Sequence, residues 1–271
     1  MTYRTFLKNS KAPDPKTLVL YAAGFDLSGL VMKLDEEIPK ETAETLFRAE
    51  EAVSSGTPLQ YAFRKAPFYG FWFRVDERVL IPRFDSEILV NEALKAIPDG
   101  EAAEVLDLCS GSGCIGLAIG AKRPAVRLTL SDVSSDALSV AEENRKKLGV
   151  RAELIESDLF SGIDGRFDYI VSNPPYVCSA EIGSLDREVR DHEPELALNG
   201  GEDGLSFYRR IASEAPGHLK RSGRLFLEIG YDQALPVTKL LESAGFEETE
   251  TVKDLAGKDR VIKACWNNWN N

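Results

Sequence analysis

"LDLCSGSGCIG", residues 106–116, decides how the rest of the chain is read. Gly111, Gly113 and Gly116 stand in G-x-G-x-x-G spacing, after an apolar strand pattern and before an apolar helical one. Residues without Cβ let backbone amides approach a ligand closely, which is why glycines collect at such a turn. Dinucleotide enzymes use this loop against a pyrophosphate, and S-adenosylmethionine enzymes use a related one under their cofactor. The spacing alone leaves that choice open.

Outward from the loop, short apolar segments alternate with helical ones from about residue 103. "EVLDLCS", "RLTLSDV", "AELIESD", "FDYIVSN", "GRLFLEI" and "DRVIKACW" are predicted strands, and Ser134 to Leu148 carries cap residues and helical spacing. The alternation predicts an α/β fold, a mostly parallel sheet with helices on both faces. Ligands of such sheets bind beyond the C-terminal ends of the strands. Asp132 ends the second strand, where an acid can accept both hydroxyls of a ribose. NAD and S-adenosylmethionine share that ribose. Asp107 gives the acid-x-x-x-Gly-x-Gly form typical of methyltransferases. Asp158, ending the third strand, is a candidate acceptor for an adenine amino group, with Leu159 packing on the ring.

The fourth strand ends in "IVSNPPYVCS", residues 170–179. An amide or exocyclic amine is a poor nucleophile because its lone pair is delocalised. Two fixed acceptors for its N–H groups draw the nitrogen toward tetrahedral geometry, and their value lies in being preorganised. Asn173 offers a side-chain carbonyl and Pro174 a backbone carbonyl. Neither Pro174 nor Pro175 has a competing N–H, and Pro175 keeps Pro174 out of the helical region. Tyr176 offers a flat face for a planar amide or base. Taken alone, Asn-Pro-Pro is also an ordinary turn; its place after the fourth strand favours the chemical reading.

The first 65 residues read as helical. In "IPKETAETLFRAEEAVSSG", Pro39 suits a helix start and Gly56 a stop, with Ala43, Leu46, Phe47, Glu50 and Val53 on one mostly apolar stripe, a packing face. In "FYGFWFRVDERVLIP", Phe71, Phe73 and Val75 alternate, and Asp76-Glu77-Arg78 is predicted to turn the chain into Val79 and Ile81 as a hairpin. The expected domains are residues 1–65, helical; 66–82, a hairpin linker; and 83–271, the α/β part.

Composition narrows the function classes. The 271 residues carry a formal net charge of −11, which disfavours a duplex-gripping protein, since phosphate neutralisation supplies most of such affinity. No apolar run is long enough to span a membrane and the start lacks the core of a signal peptide, so a cytoplasmic location is expected. Cys109, Cys114, Cys178 and Cys265 form no C-x-x-C pair, so no metal is expected. His192, between Asp191 and Glu193, reads as a surface imidazole and not a base; His218 sits late in a helical stretch. The tail "NNWNN" is left without a reading.

The chain resembles the N5-glutamine methyltransferases that modify peptide chain release factors (the HemK or PrmC family). The likeness runs through nearly the whole chain: "NPPY", "VLIPRFDSEILV" (79–90), "DLCSGSG" (107–113), "EPELALNGGEDGLSFYRRI" (193–211), "LFLEIG" (225–230) and "DRVI" (259–262). The resemblance implies a helical N-terminal domain that docks substrate, a hairpin linker and a seven-stranded, mostly parallel, Rossmann-like class I methyltransferase domain. It implies S-adenosyl-L-methionine as cofactor and the glutamine of the Gly-Gly-Gln loop of class 1 release factors as substrate, with no direct nucleic acid or membrane partner. It places Cys109, Ser110, Gly111, Ser112, Gly113, Asp132, Leu159 and Asn173 on the cofactor, and Asn173, Pro174, Pro175 and Tyr176 on the glutamine. Phe84-Asp85-Ser86-Glu87 departs from the family's usual Pro-Glu-Thr-Glu, and Leu159 stands where an aromatic is common. The polar segment 181–204 is expected to form one wall of the substrate site. Two alternatives share these features: a DNA adenine N6-methyltransferase, which faces the same nucleophile problem, and a release-factor adaptor that binds without modifying.

Overall fold

The computed structural model describes residues 1–267; the tail stretch 268–271 lies outside the described residues. The chain divides into two compact units. One comprises Met1–Lys65 together with Leu185–His192, and the other Ala66–Ser184 together with the chain from Glu193 onward.

The first unit is helical. Helices Tyr3–Asn9, Pro15–Ala23 and Leu27–Met32 begin on Thr2, Asp14 and Asp26, whose side chains each accept an otherwise unpaired backbone N–H. Phe6, Leu18, Val19 and Leu46 form its core. Helix Lys40–Ser54 starts after Pro39 and buries Leu46 and Ala49, while Phe47 on the expected stripe is half exposed. The short helix Arg187–His192 belongs to this unit, with His192 beside Gly56.

The strands, which lie in the second unit apart from Lys65 at the start of the first strand, are β1 (Lys65–Phe68), β2 (Phe71–Arg74), β3 (Glu104–Leu108), β4 (Arg127–Asp132), β5 (Ala152–Glu156), β6 (Phe167–Ser172), β7 (Leu219–Glu228), β8 (Glu247–Lys253) and β9 (Asp259–Trp266). β1 and β2 form the hairpin, one turn earlier than the alternation predicts. The chain reverses at Tyr69-Gly70, both at positive φ (51° and 79°), the two-residue turn whose twist suits paired strands. Residues 79–83 are not a strand.

The seven-stranded sheet runs β5-β4-β3-β6-β7-β9-β8, with β9 antiparallel to both neighbours. β8 carries no apolar signal in the sequence, because "EETETVK" is an edge strand with no buried residue. Alternate residues face opposite layers. Val105, Val171, Phe226 and Val261 pack beneath helices Glu87–Ala96 and Cys114–Lys122. Leu106, Ile170, Leu225, Leu227 and Ile262 pack against helix Ser206–His218 and helix Ala234–Ser243. Burying each such side chain contributes roughly 1.5–3 kcal/mol. The strand order reverses between β3 and β6, and Leu108, Ser172 and Leu227 lie in one paired row there. Cys109, Asn173 and Glu228 follow that row by one residue each. Among the described residues, no helix is long and apolar enough to cross a membrane.

Candidate active site

A cleft opens at this switch point, over the strand ends, and its lining includes Cys109, Gly111, Asp132, Leu159, Asn173 and Pro175. Its floor is the glycine loop. Asp107 is fully buried, and its Oδ2 accepts from the Gly116 amide at 2.8 Å. A Cβ on Gly116 would stand 2.5 Å from the Leu130 side chain and 2.8 Å from Asp107 Oδ2, so the helix comes this close to the sheet only with glycine there. Among the described residues Asp107 Oδ1 has no partner, and burial pushes this carboxyl up to about 7.

That penalty gives a testable sign. A carboxyl raised in the folded state contributes stability below its unfolded value, near 4, and loses it as pH rises through the folded value. Asp107→Asn keeps an oxygen for Gly116 and cannot ionise. The stability of Asp107→Asn relative to the parent should therefore grow between about pH 4 and about pH 7, by up to a few kcal/mol, in denaturant titrations.

Asp132 is held from two sides. Its Oδ2 accepts from Gly111 N at 2.8 Å and its Oδ1 from Ser134 N at 2.9 Å. Burial raises its pKa, and these amides work against the rise. Each carboxylate oxygen keeps a second lone-pair site, so the group can still take two hydroxyls from the cleft. Ser110 Oγ is buried without a partner among the described residues, and Ser112 O accepts from Asn144. Cys109 and Leu159 adopt positive φ (60° and 50°), which turns the chain sharply at the ends of β3 and β5. Leu159 is buried. Asp158 lines the cleft, but its Oδ1 is ion-paired with Arg210 at 2.8 Å, leaving Oδ2 as the open acceptor. A donor-lined loop, an acid able to hold a diol and an apolar shelf fit an adenosine-bearing cofactor.

Asn173 and Pro175 line the cleft, while Pro174 is buried and Tyr176 half-buried behind them. Asn173 Nδ2 donates to Ser86 Oγ at 3.3 Å. Among the described residues no donor reaches Asn173 Oδ1 or the Pro174 carbonyl. Burial pushes the Tyr176 hydroxyl up to about 12, so it stays protonated. The elbow is braced from behind. Gln233 Nε2 donates to Tyr176 O at 3.0 Å, and Val177 exchanges backbone bonds with Leu198 and Gly200. A Cβ on Gly200 would lie 2.7 Å from Tyr176 Cα and 2.9 Å from Pro175 O. So residues 193–204 do form a wall beside the elbow, whereas 185–192 go with the helical unit. His192 belongs to the helical unit, and His218 stacks on Phe160 at 4.7 Å.

Several residues near the site were not singled out from sequence. Glu193 is buried and binds Ile81 N and Arg83, tying the Ile-Pro-Arg segment to the wall. Ser86 ends a 3-10 turn, Phe84–Ser86, in the segment that departs from the usual family pattern. Glu228 is fully buried behind Asn173, and Arg260 on β9 pairs with Asp254 and Asp85. An acid inside "LFLEIG" and an arginine in "DRVI", each within an apolar strand, were the available signals.

Comparison with known proteins gives the family and the fold. Residues 84–187 match the family model described as "Methyltransferase small domain". The chain is 41% identical over 252 residues to a release factor glutamine methyltransferase from Caulobacter vibrioides, covering 92% of this chain and 87% of that one. It is 42% identical to the corresponding enzyme of Cereibacter sphaeroides, covering 93% and 90%. The chain belongs to the release factor glutamine methyltransferase family. It is therefore a methyltransferase. A Pyrococcus furiosus methyltransferase structure shares the fold with a TM-score of 0.55 at 18% identity, covering 72% of this chain and 89% of that one. A Thermus thermophilus 16S rRNA N2 G1207 methyltransferase, solved with AdoMet and guanosine, does so at 0.52 and 19%, covering 74% and 49%.

Proposed function

We propose that the protein methylates the side-chain nitrogen, N5, of the glutamine in the Gly-Gly-Gln loop of class 1 peptide chain release factors. The observation that carries this is the pair of oxygens, Asn173 Oδ1 and Pro174 O, that receive no donor among the described residues, beside a cleft suited to an adenosine group. S-adenosylmethionine supplies an electrophilic sulfonium methyl. Cys109 to Gly113 and Leu159 cradle it, Asp132 takes the ribose hydroxyls, and Asp158 accepts from the adenine amine through its free oxygen.

The two oxygens accept the two amide N–H groups of glutamine and hold its nitrogen in line with the methyl. A nitrogen–carbon bond forms as the sulfur–carbon bond breaks, and the nitrogen then gives one proton to solvent. No base is required, in keeping with a Tyr176 hydroxyl that stays protonated. Tyr176 and Pro175 support the amide plane. Incubation with labelled S-adenosylmethionine should label a release factor, and mass spectrometry should find one added methyl on the Gly-Gly-Gln peptide. Label in duplex DNA alone would overturn the reading in favour of an adenine methyltransferase.

Residues 1–65 dock the bulk of the protein substrate. Leu27, Val31 and Met32 expose apolar side chains on one short helix, with Met32 84% exposed. Val31→Glu combined with Met32→Glu should raise KM for intact release factor about tenfold, and leave KM for a short Gly-Gly-Gln peptide unchanged, in steady-state assays.

A further inference from the structure

We propose that Glu228 is a positioning residue that dictates which end of the Asn173 amide faces the cleft. The inference rests on the methyl-transfer reading above and adds a residue that the reading does not contain.

An amide presents an acceptor at one end and two donors at the other, and only the acceptor end serves the reaction. Ser86 cannot choose between the ends, because a hydroxyl both donates and accepts. A carboxylate can only accept. Glu228 is 1% exposed, sits one residue past the row that aligns Ser172 with Leu227, and shares a sheet face with Asn173. The Ser86 hydroxyl and the Asn173 amide favour the charged form of its carboxyl, while among the described residues Glu228 Oε2 accepts no hydrogen bond. The charged group therefore draws Asn173 Nδ2 inward, where it also meets Ser86, and turns Oδ1 outward. A buried acid is costly to retain without a purpose, and here its charge selects one of two otherwise similar amide orientations.

Protonation removes the selection. Burial pushes the Glu228 carboxyl up to about 7. Arg260 on β9 favours its charge, and Asp85 ahead of helix Glu87–Ala96 opposes it. The hydroxyls of Tyr176 and Tyr208 and the thiol of Cys114 also sense it, and all three stay neutral. Once protonated, Glu228 can donate to Asn173 Oδ1, which turns the NH₂ toward the substrate's own N–H groups. Turnover should thus rise with pH through about 7.

The test compares the parent with Glu228→Gln and Glu228→Asp on a release factor carrying Gly-Gly-Gln. In Glu228→Gln, kcat should fall about 10- to 100-fold and the rise through neutral pH should vanish. KM for S-adenosylmethionine and the calorimetric affinity for S-adenosylhomocysteine should stay within about twofold of the parent. Glu228→Asp, which keeps a carboxylate, should recover part of kcat and retain a pH-dependent limb. A Glu228→Gln protein with parental kcat and an unchanged pH profile overturns the proposal. If that variant does not fold, NMR of the Asn173 side-chain amide in the parent decides: its resonances should titrate near pH 7, and resonances that ignore pH refute the role. A parent that binds S-adenosylhomocysteine yet never methylates release factor would defeat the substrate assignment, and the NMR titration would still judge Glu228.

Discussion

Asn173→Ala is expected to lose at least about 100-fold in kcat while remaining folded, since deleting one preorganised polar group at a reacting centre typically costs that much. The side chain is half-buried, and its bond to Ser86 is long at 3.3 Å, so its removal should cost only about 1 kcal/mol of stability. Binding of S-adenosylhomocysteine should weaken far less than turnover, because Asn173 is one contact at the edge of the cleft and the loop around Asp132 is untouched. The loss should therefore sit mainly in kcat and only slightly in cofactor KM, as for an interaction made chiefly while the nitrogen is being methylated. Steady-state kinetics with calorimetry separate these terms. Near-parental turnover in folded Asn173→Ala would remove the acceptor role.

Asp132→Ala should act on the other substrate. The two bonds from Gly111 and Ser134 fix the carboxylate before any ligand arrives, so ribose hydroxyls meet an acceptor already in place. Losing hydrogen bonds to a charged group costs about 1.5–3 kcal/mol, or roughly 10- to 100-fold in S-adenosylhomocysteine affinity by calorimetry. The Gly111 amide also loses its partner, so the loop should loosen. Because burial holds the Asp132 carboxyl above its ordinary range, parental affinity should weaken on acidification earlier than a free aspartate would predict. An unchanged affinity in Asp132→Ala would place the ribose elsewhere.

Much of this architecture was legible in the chain because its signals are local. Short apolar segments mark six of the seven strands of the large sheet, and Ser134 does cap helix Ser135–Leu148, which ends at Gly149. β8 was missed because an edge strand with solvent on most of its residues has no apolar period to detect. The hairpin turns at Tyr69-Gly70, ahead of the turn that the sequence predicts. The acidic Asp76-Glu77-Arg78 looked like a better turn than Tyr69-Gly70, where a tyrosine accepts positive φ.

At the site, the glycine loop and the Asn-Pro-Pro elbow could be read because each is a contiguous string. The supports could not. Ser86, Glu228 and Arg260 lie far apart in sequence and meet only through strand order and register. Nor does sequence reveal that Arg210 occupies one oxygen of Asp158, since that pair joins positions 52 residues apart.

The brace behind Tyr176 has a temporal meaning. Gly200 and Gln233 are translated well after residue 173, yet they fix the direction in which the elbow points. A nascent chain that has emerged only as far as the elbow holds the reactive asparagine without the scaffold that aims it. Competence for methyl transfer thus arrives late in synthesis, when the last third of the polypeptide has left the ribosome.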